Sequence, residues 1–133
     1  MAICDTGNLP VAVVVASASP AEVTLAEETI AAHFTTRVPQ RIIADKAYDS
    51  NALRLRLRDR HIDLIVPHRA GRVSKPLQDG RKLRRYKHQW KVERLNAWFQ
   101  NSRRLVTRYE HTPENFLGFV HLACLRILLR RYF

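Results

Sequence analysis

Two carboxylates occupy positions where side chains can do chemistry. Asp45 follows the apolar run Ile42–Ala44, which is typical of a buried strand, and ligand-binding and catalytic groups gather at the carboxyl ends of such strands. Glu93 falls on one helical stripe with apolar side chains of a basic segment, where a carboxylate needs a cationic partner or a metal. The apolar members of that stripe are Leu83, Tyr86, Trp90 and Ala97. Together the two carboxylates suit a hard cation and metal-assisted phosphoryl chemistry.

Each carboxylate also has a purely structural interpretation. Asp45 could cap a turn or a helix, although Asp49 is the better cap for the helix that follows. Glu93 could form a simple ion pair with Arg94 or Lys91. The residue types alone leave both alternatives open.

Other chemistries lack the residues that they need. The cysteines, Cys4 and Cys124, are 120 positions apart without a neighbouring histidine ligand pair, so zinc spacing is absent. The four glycines form no phosphate-binding loop, and no serine lies in a nucleophile elbow. The run Val11–Ala16 is too short to span a bilayer, and Phe116–Leu129 contains charged or polar side chains, so no membrane partner is expected.

The charge is concentrated in the second part of the chain. The net charge is +11, yet residues 1–40 carry one cation and four acids, whereas residues 41–133 carry 22 cations and 8 acids. Within Pro67–Arg108 there are thirteen cations and two acids. A solvated charged face is the simpler interpretation, but so many like charges favour a polyanionic partner. Nucleic acid is the first candidate, and we prefer it to the second, an anionic membrane surface.

The elements that must position these residues follow the order β-β-α-β-α-β and then two helices. This order predicts one α/β domain with a mixed sheet. Asp5-Thr6-Gly7-Asn8 is a hairpin turn, and Ser19 with Pro20 opens a helix that continues through Phe34. The expected ranges of the remaining elements are strands at Ala2–Cys4, Leu9–Ala16, Arg41–Ala44 and Ile62–Val66, a helix capped by Ser50, a long basic helix over Arg81–Arg103, and a last helix from Thr112-Pro113.

Three groups of residues carry a resemblance to a known family. They are Asp45-Lys46-Ala47-Tyr48-Asp49-Ser50, Ile65-Val66-Pro67, and Tyr86-Lys87-His88-Gln89-Trp90-Lys91-Val92-Glu93-Arg94. Combined, they resemble the C-terminal half of bacterial insertion-sequence transposases of the DDE class. Further matches at Arg103–Tyr109 and Asn115–Ala123 extend the resemblance over almost the whole chain.

The resemblance implies an RNase H-like fold, with two magnesium ions held by two aspartates and a glutamate. By match, Asp45 is the second family aspartate and Glu93 is the glutamate. The activity implied is DNA transposition, a recombination reaction in which metal-dependent strand cleavage is followed by strand transfer. DNA, both transposon ends and target, would contact the chain through Lys46, Tyr86, Lys87, Lys91, Arg94, Arg103 and Arg104.

The chain also departs from the family pattern. The family signature around the glutamate has Arg and Lys where Gln89 and Gln100 stand here, and Ala47 replaces a usual glycine. The first family aspartate lies on a strand upstream of the opening hairpin, and Asp5 matches a non-catalytic position. We therefore expect residues 1–133 to be a partial catalytic domain, without the first strand and the DNA-recognition region and inactive alone.

Two functional hypotheses follow from the resemblance. The first is a transposase fragment, completed by an upstream-frame transposase segment or by self-association. The alternative is a catalytically inactive DNA-binding or regulatory remnant, and a basic protein-interaction module is a third interpretation. Two cysteines and no secretory signal agree with a reducing bacterial cytoplasm, at the nucleoid.

Overall fold

The elements follow the predicted order β-β-α-β-α-β up to the fourth strand, and a 3₁₀ helix and three α-helices, rather than two helices, follow it. A computed structural model describes residues 1–17, 21–71, 77–78 and 80–132. The strands are β1 (Ala2–Cys4), β2 (Pro10–Val13), β3 (Arg41–Ile43) and β4 (Asp63–Ile65). The helices are α1 (Glu22–Ala31), α2 (Asn51–Asp59), α3 (Trp90–Gln100), α4 (Arg103–Val106) and α5 (Pro113–Tyr132), and two 3₁₀ segments lie at Lys46–Tyr48 and Gly80–His88.

The opening hairpin forms as its turn residues predict. Asp5 Oδ1 accepts the backbone N–H groups of Gly7 at 2.7 Å and Leu9 at 2.9 Å, which closes the turn with a side chain. Asn8 adopts a positive φ of 65°, a conformation that asparagine tolerates better than most residues. β1 then pairs antiparallel with β2, with a register irregularity between Ile3 and Cys4.

The second pair of strands is a parallel unit joined by α2. Ser50 begins this helix as its N-cap, because the hydroxyl oxygen accepts the N–H of Leu53 at 3.3 Å. Leu53 and Leu57 are fully buried beneath β4. The helix therefore carries the chain from β3 back to β4, which pairs parallel to it.

The strands form two separate two-stranded sheets, so the prediction of one mixed sheet is wrong. The outer edge of each sheet is covered: Val11 O of β2 accepts Phe34 N–H at 3.0 Å. Beyond β4, Arg54 donates to Leu64 O at 2.5 Å, and the Gln78 amide both donates to and accepts from the Val66 backbone. The inner edges, of β1 and β3, instead line one cleft. The sheets stay apart because no described strand bridges these two edges.

The core lies between α1, α2 and β4. Its buried members are Ala26, Ile30, Leu53, Leu57, Ile62, Leu64 and Val66. α1 faces this core through Ala26 and Ile30. Phe34, through which the helix was predicted to continue, is 47% exposed because α1 ends at Ala31 and the Phe34 N–H pairs with β2 instead. The predicted cap at Ser19 and Pro20 lies outside the described residues.

The long basic helix is replaced by two elements. Residues Gly80–His88 form a 3₁₀ helix, and the α-helix begins only at Trp90. Arg81, Lys82, Arg84, Arg85 and Lys87 crowd this segment, which contains no acid, so it lacks the opposite-charge pairs that support an α-helix. The predicted helix was therefore correct only for its second half.

The last helix, α5, packs through one face as predicted. It begins at Pro113, and Ala123, Cys124 and Ile127 are buried, whereas Phe116, Phe119 and Val120 are half-buried. Proline suits the first helical position because its missing N–H would have had no partner there. None of the helices in the described part of the chain is both long and apolar enough to cross a bilayer.

Candidate functional site

The inner strand edges enclose a cleft of about 1360 Å³ between the two sheets, which we call the inter-sheet cleft. Residues 1–6 form one wall and residues 37–45 form the opposite wall. Side chains of α1 cover one side, and the end of the basic 3₁₀ segment with the start of α3 covers the other. The cleft therefore has two hydrogen-bonding walls and helices on two further sides.

Asp45 lines this cleft at the carboxyl end of β3. The preceding residue, Ala44, still donates to Ile65 O at 3.1 Å, so the parallel pairing holds Asp45 at the strand end as predicted. Its Oδ1 accepts the N–H of Ala47 at 2.7 Å and begins the short 3₁₀ turn. The structural interpretation of Asp45 as a turn cap is thus correct. Its side chain lies half-buried in the cleft, and its catalytic role stays a prediction.

Glu93 does not join Asp45 in the inter-sheet cleft. Its side chain is exposed, and the one buried residue of α3 is Leu95. The prediction of an inward stripe from Leu83 to Ala97 is wrong, because a 3₁₀ helix has 3.0 residues per turn rather than 3.6. The stripe seen on the first half therefore does not continue along α3.

The simple ion pair proposed for Glu93 is not present among the described contacts either. The Lys91 ammonium donates instead to the backbone oxygen of Thr6, which joins the start of α3 to the hairpin turn. The Arg94 guanidinium lies over the Trp90 ring, 4.6 Å from its centroid. Both candidate partners of Glu93 thus have other contacts.

The described residues do not assemble a site for a divalent metal. Nowhere in residues 1–17, 21–71, 77–78 and 80–132 do three or more His, Cys, Asp or Glu side chains gather closely enough to hold an ion. Asp5, Glu22 and Asp45 all line the inter-sheet cleft, but Asp5 already accepts two backbone N–H groups in its turn. This set of donors therefore does not fit the magnesium pair that the resemblance implies.

Glu22 and Tyr48 are cleft residues that sequence reasoning missed. Both side chains line the inter-sheet cleft. Burial raises the pKa of the Tyr48 phenol, and the nearby Glu22 and Asp45 carboxylates raise it further. The phenol stays neutral and can donate to Glu22. The position of Tyr48 just after Asp45 was the available signal.

Asp49 fixes the loops that follow both parallel strands. Its carboxylate is 1% exposed and lies 3.5 Å from the Arg54 guanidinium and 3.5 Å from His68 Nδ1. It also accepts the Arg69 N–H at 3.0 Å, and the Arg69 side chain donates to Lys46 O and Ala47 O. Asp49 is therefore an internal anchor rather than the helix cap, a role that Ser50 takes.

The predicted DNA contacts lie on both 3₁₀ segments, α3 and α4. Residues 81–108 contain ten cations and one acid. Of the predicted contacts, Lys46, Lys87, Arg94, Arg103 and Arg104 are exposed, and Tyr86 and Lys91 are half-buried. Arg104 lies 3.6 Å from the Glu110 carboxylate, and Lys82 pairs with Asp63 at 2.8 Å. Five further cations take part in none of the ion pairs among the described residues, and all five are exposed to solvent: Arg84, Arg85, Lys87, Arg94 and Arg103.

Comparison with known proteins places these features in a family. The family described as "Transposase DDE domain" matches residues 1–128. The chain is 35% identical over 86 residues to a putative transposase for insertion sequence element IS402 of Burkholderia cepacia. This match covers 65% of the chain and 37% of that relative. It is also 36% identical over 90 residues to a putative transposase for insertion sequence element IS6501 of Brucella ovis, covering 67% of each. No solved structure matches the chain.

Proposed function

Because the chain belongs to the family of transposase DDE domains, we propose that it acts on DNA in the transposition of an insertion sequence. One observation supports this proposal above the others: ten cations and one acid lie within residues 81–108, and most of these cations are exposed. Exposed Lys and Arg side chains neutralise phosphates and release condensed counterions, which gives affinity without dependence on sequence.

The proposed contacts divide into charges and stacking groups. Lys46, Lys87, Arg103 and Arg104 present exposed cationic heads to phosphate oxygens. Trp90 is 43% exposed with Arg94 over its ring, and such a pair offers a flat surface to an unstacked base. Cytoplasmic association with the bacterial nucleoid is part of the same proposal, since the surface binds any duplex.

We assign the catalytic role in the family reaction to Asp45 and Glu93, within a fold that we propose to be RNase H-like. Strand cleavage by a divalent cation requires several carboxylates around the ions, and the described residues do not gather three such groups. The proposed contribution of this chain alone is therefore DNA binding, and we propose no cleavage step for it.

The inter-sheet cleft gives a physical reason to expect completion by another segment. The β1 and β3 edges line the cleft, whereas the outer edges of both sheets are covered by a bridge or by side chains. An extended segment can pair with free strand edges through its backbone. We propose that an upstream transposase segment, carrying the remaining aspartate, fits here beside Asp45.

A nicking assay tests this proposal. The purified chain, its Asp45→Ala variant and its Glu93→Ala variant are each incubated with transposon-end DNA and magnesium or manganese. We expect DNA binding by all three and cleavage by none. Co-expression with the upstream reading frame is expected to give cleavage that either substitution abolishes. Strong cleavage by the isolated chain, lost in both variants, would contradict the assignment of an incomplete site.

The second candidate is an inactive DNA-binding remnant that interferes with an intact transposase. Gln89 and Gln100, at positions where the family pattern has charged residues, favour it. The co-expression experiment distinguishes the two candidate functions. A remnant would bind DNA, but it would not cleave DNA when the upstream segment is present. A flanking pair of inverted repeats in the genome would favour the first candidate.

A further inference from the structure

The outer face of α5 carries an apolar seam with no partner among the described residues. Leu122, Leu125 and Leu129 are 59%, 51% and 47% exposed, and Gly118 is exposed on the same face. The steps from Gly118 to Leu129 are four, three and four residues, which is the spacing of a two-helix seam. The buried face, through Ala123, Cys124 and Ile127, lies on the opposite side of the helix.

A shallow depression lies at the N-terminal end of this seam. It is lined by Asn115, Gly118, Phe119 and Leu122 of α5, with Glu110 and Glu114 at its rim. The four helical residues are at positions i, i+3, i+4 and i+7, and four residues in this pattern form the hole that accepts one knob of a facing helix. Because Gly118 has no side chain and no atom outside its own stretch of helix backbone lies within 4 Å of the place that a Cβ would take, the hole is open.

The chain itself supplies a knob of the right type. If a second α5 runs antiparallel about a twofold axis between Ala123 and Cys124, Leu129 of the second copy lies opposite Gly118. Leu122 then lies opposite Leu125, so all the exposed leucines of the seam find apolar neighbours. A twofold interface of this kind is self-complementary and closed.

The charge distribution along α5 favours the same antiparallel arrangement. The first turn and the residues before it carry Glu110 and Glu114, whereas the last turns carry Arg126, Arg130 and Arg131. A parallel pair would place the three arginines of both copies side by side. An antiparallel pair places the basic end of each helix near the acidic rim of the other and aligns the helix dipoles favourably.

We propose that the seam Gly118, Leu122, Leu125 and Leu129 binds a second copy of this chain as an antiparallel helix pair. The interface lies apart from the inter-sheet cleft, and it forms without DNA. It therefore stands or falls independently of the proposed function.

Sedimentation velocity on the full chain across a range of concentrations tests this proposal. The unaltered chain is expected to form a dimer. Leu125→Glu is expected to raise the dissociation constant of this dimer by about 100-fold. The matched control is Leu55→Glu, which changes a leucine on α2 that is 48% exposed and lies outside the seam. It is expected to leave the dimer unchanged.

A second variant separates association from folding. Gly118→Leu fills the hole, yet its side chain has free space in the monomer, and leucine is a better helix former than glycine. We expect this variant to melt at the same temperature or higher, measured at a concentration where the unaltered chain is monomeric, and to remain monomeric at concentrations where the unaltered chain dimerises. A monomeric unaltered chain, or a dimer that survives both Leu125→Glu and Gly118→Leu, would overturn the proposal.

Discussion

The α/β part of the molecule, residues 1–66, and the helical part, residues 80–132, are stabilised differently. The first part has seven cations and eight acids, and it contains the whole buried cluster from Ala26 to Val66. The second has thirteen cations and three acids, and its buried apolar residues are Leu95, Ala123, Cys124 and Ile127. Apolar burial stabilises the first part, whereas the second part combines few buried side chains with a high density of cations.

This difference supports the proposal that the first part positions the cleft and its strand ends, and that the basic second part binds DNA. Each of the following predictions changes a residue of one part, or the solution conditions, and measures DNA affinity or stability.

The largest expected effect concerns the basic part and the salt concentration. Neutralisation of six to ten phosphates would lower duplex affinity by about 10³–10⁵ between 50 and 200 mM salt. Fluorescence anisotropy with a labelled duplex of arbitrary sequence measures this dependence. A nearly salt-independent affinity would mean that the exposed cations do not carry the binding, and the comparison between the two parts would fail.

The next effect concerns the core of the α/β part. Leu53→Ala removes a fully buried side chain and is expected to lower the free energy of unfolding by about 2–5 kcal/mol, measured by urea denaturation. Leu55→Ala on the same helix, where the side chain is 48% exposed, is expected to cost less than about 0.5 kcal/mol. Equal losses would show that the packing of α2 is not as described.

A smaller effect distinguishes the surfaces of the two parts. Reversal of Arg103 and Arg104 to glutamate is expected to weaken DNA binding by about 10–100-fold and to reduce the slope of the salt dependence, because each removed phosphate contact lowers it by about one. Reversal of Glu27 and Glu28 to lysine should not weaken binding at all. If both pairs of substitutions weaken binding alike, the binding surface is not confined to the basic part.

The smallest expected effect is a loss of stability in alkali. Burial raises the pKa of the Cys124 thiol from 9.0 to about 11, so the unfolded chain releases this proton first as the pH rises. The free energy of unfolding should therefore fall between pH 9 and pH 11. Thermal melting of the unaltered chain and of Cys124→Ala across this range measures it. The variant should lose less stability than the unaltered chain, and identical pH profiles would contradict the role of this thiol.

The sequence predicted best those features that depend on a few neighbouring residues. The Asp5 turn and the Ser50 cap are local hydrogen-bonding choices, and both are present. The apolar runs before Asp45 and before Pro67 likewise become the paired strands β3 and β4.

Features that depend on helical phase or on distant contacts were less predictable. Glu93 was placed inward by counting α-helical turns through a segment that winds as a 3₁₀ helix, and the error in phase accumulates with each residue. The contacts of Asp49 with His68 and Arg69 form only because the loop after β4 approaches the loop after β3. No local sequence pattern predicts that these two loops come together. The roles of Asp45 and Glu93 in catalysis stay predictions.

The inner edges of the two sheets, at β1 and β3, also bear on the tendency of the chain to aggregate in solution. Unpaired strand edges are templates for association between molecules, and the association of many copies leads to aggregation. Three features described above limit this risk: β1 and β3 are only three residues long, β1 has an irregular register after Ile3, and the exposed Arg41 begins β3. Short length, irregularity and charge are the protections that natural edge strands use. The proposed upstream segment could therefore bind in the cleft without the edges causing aggregation.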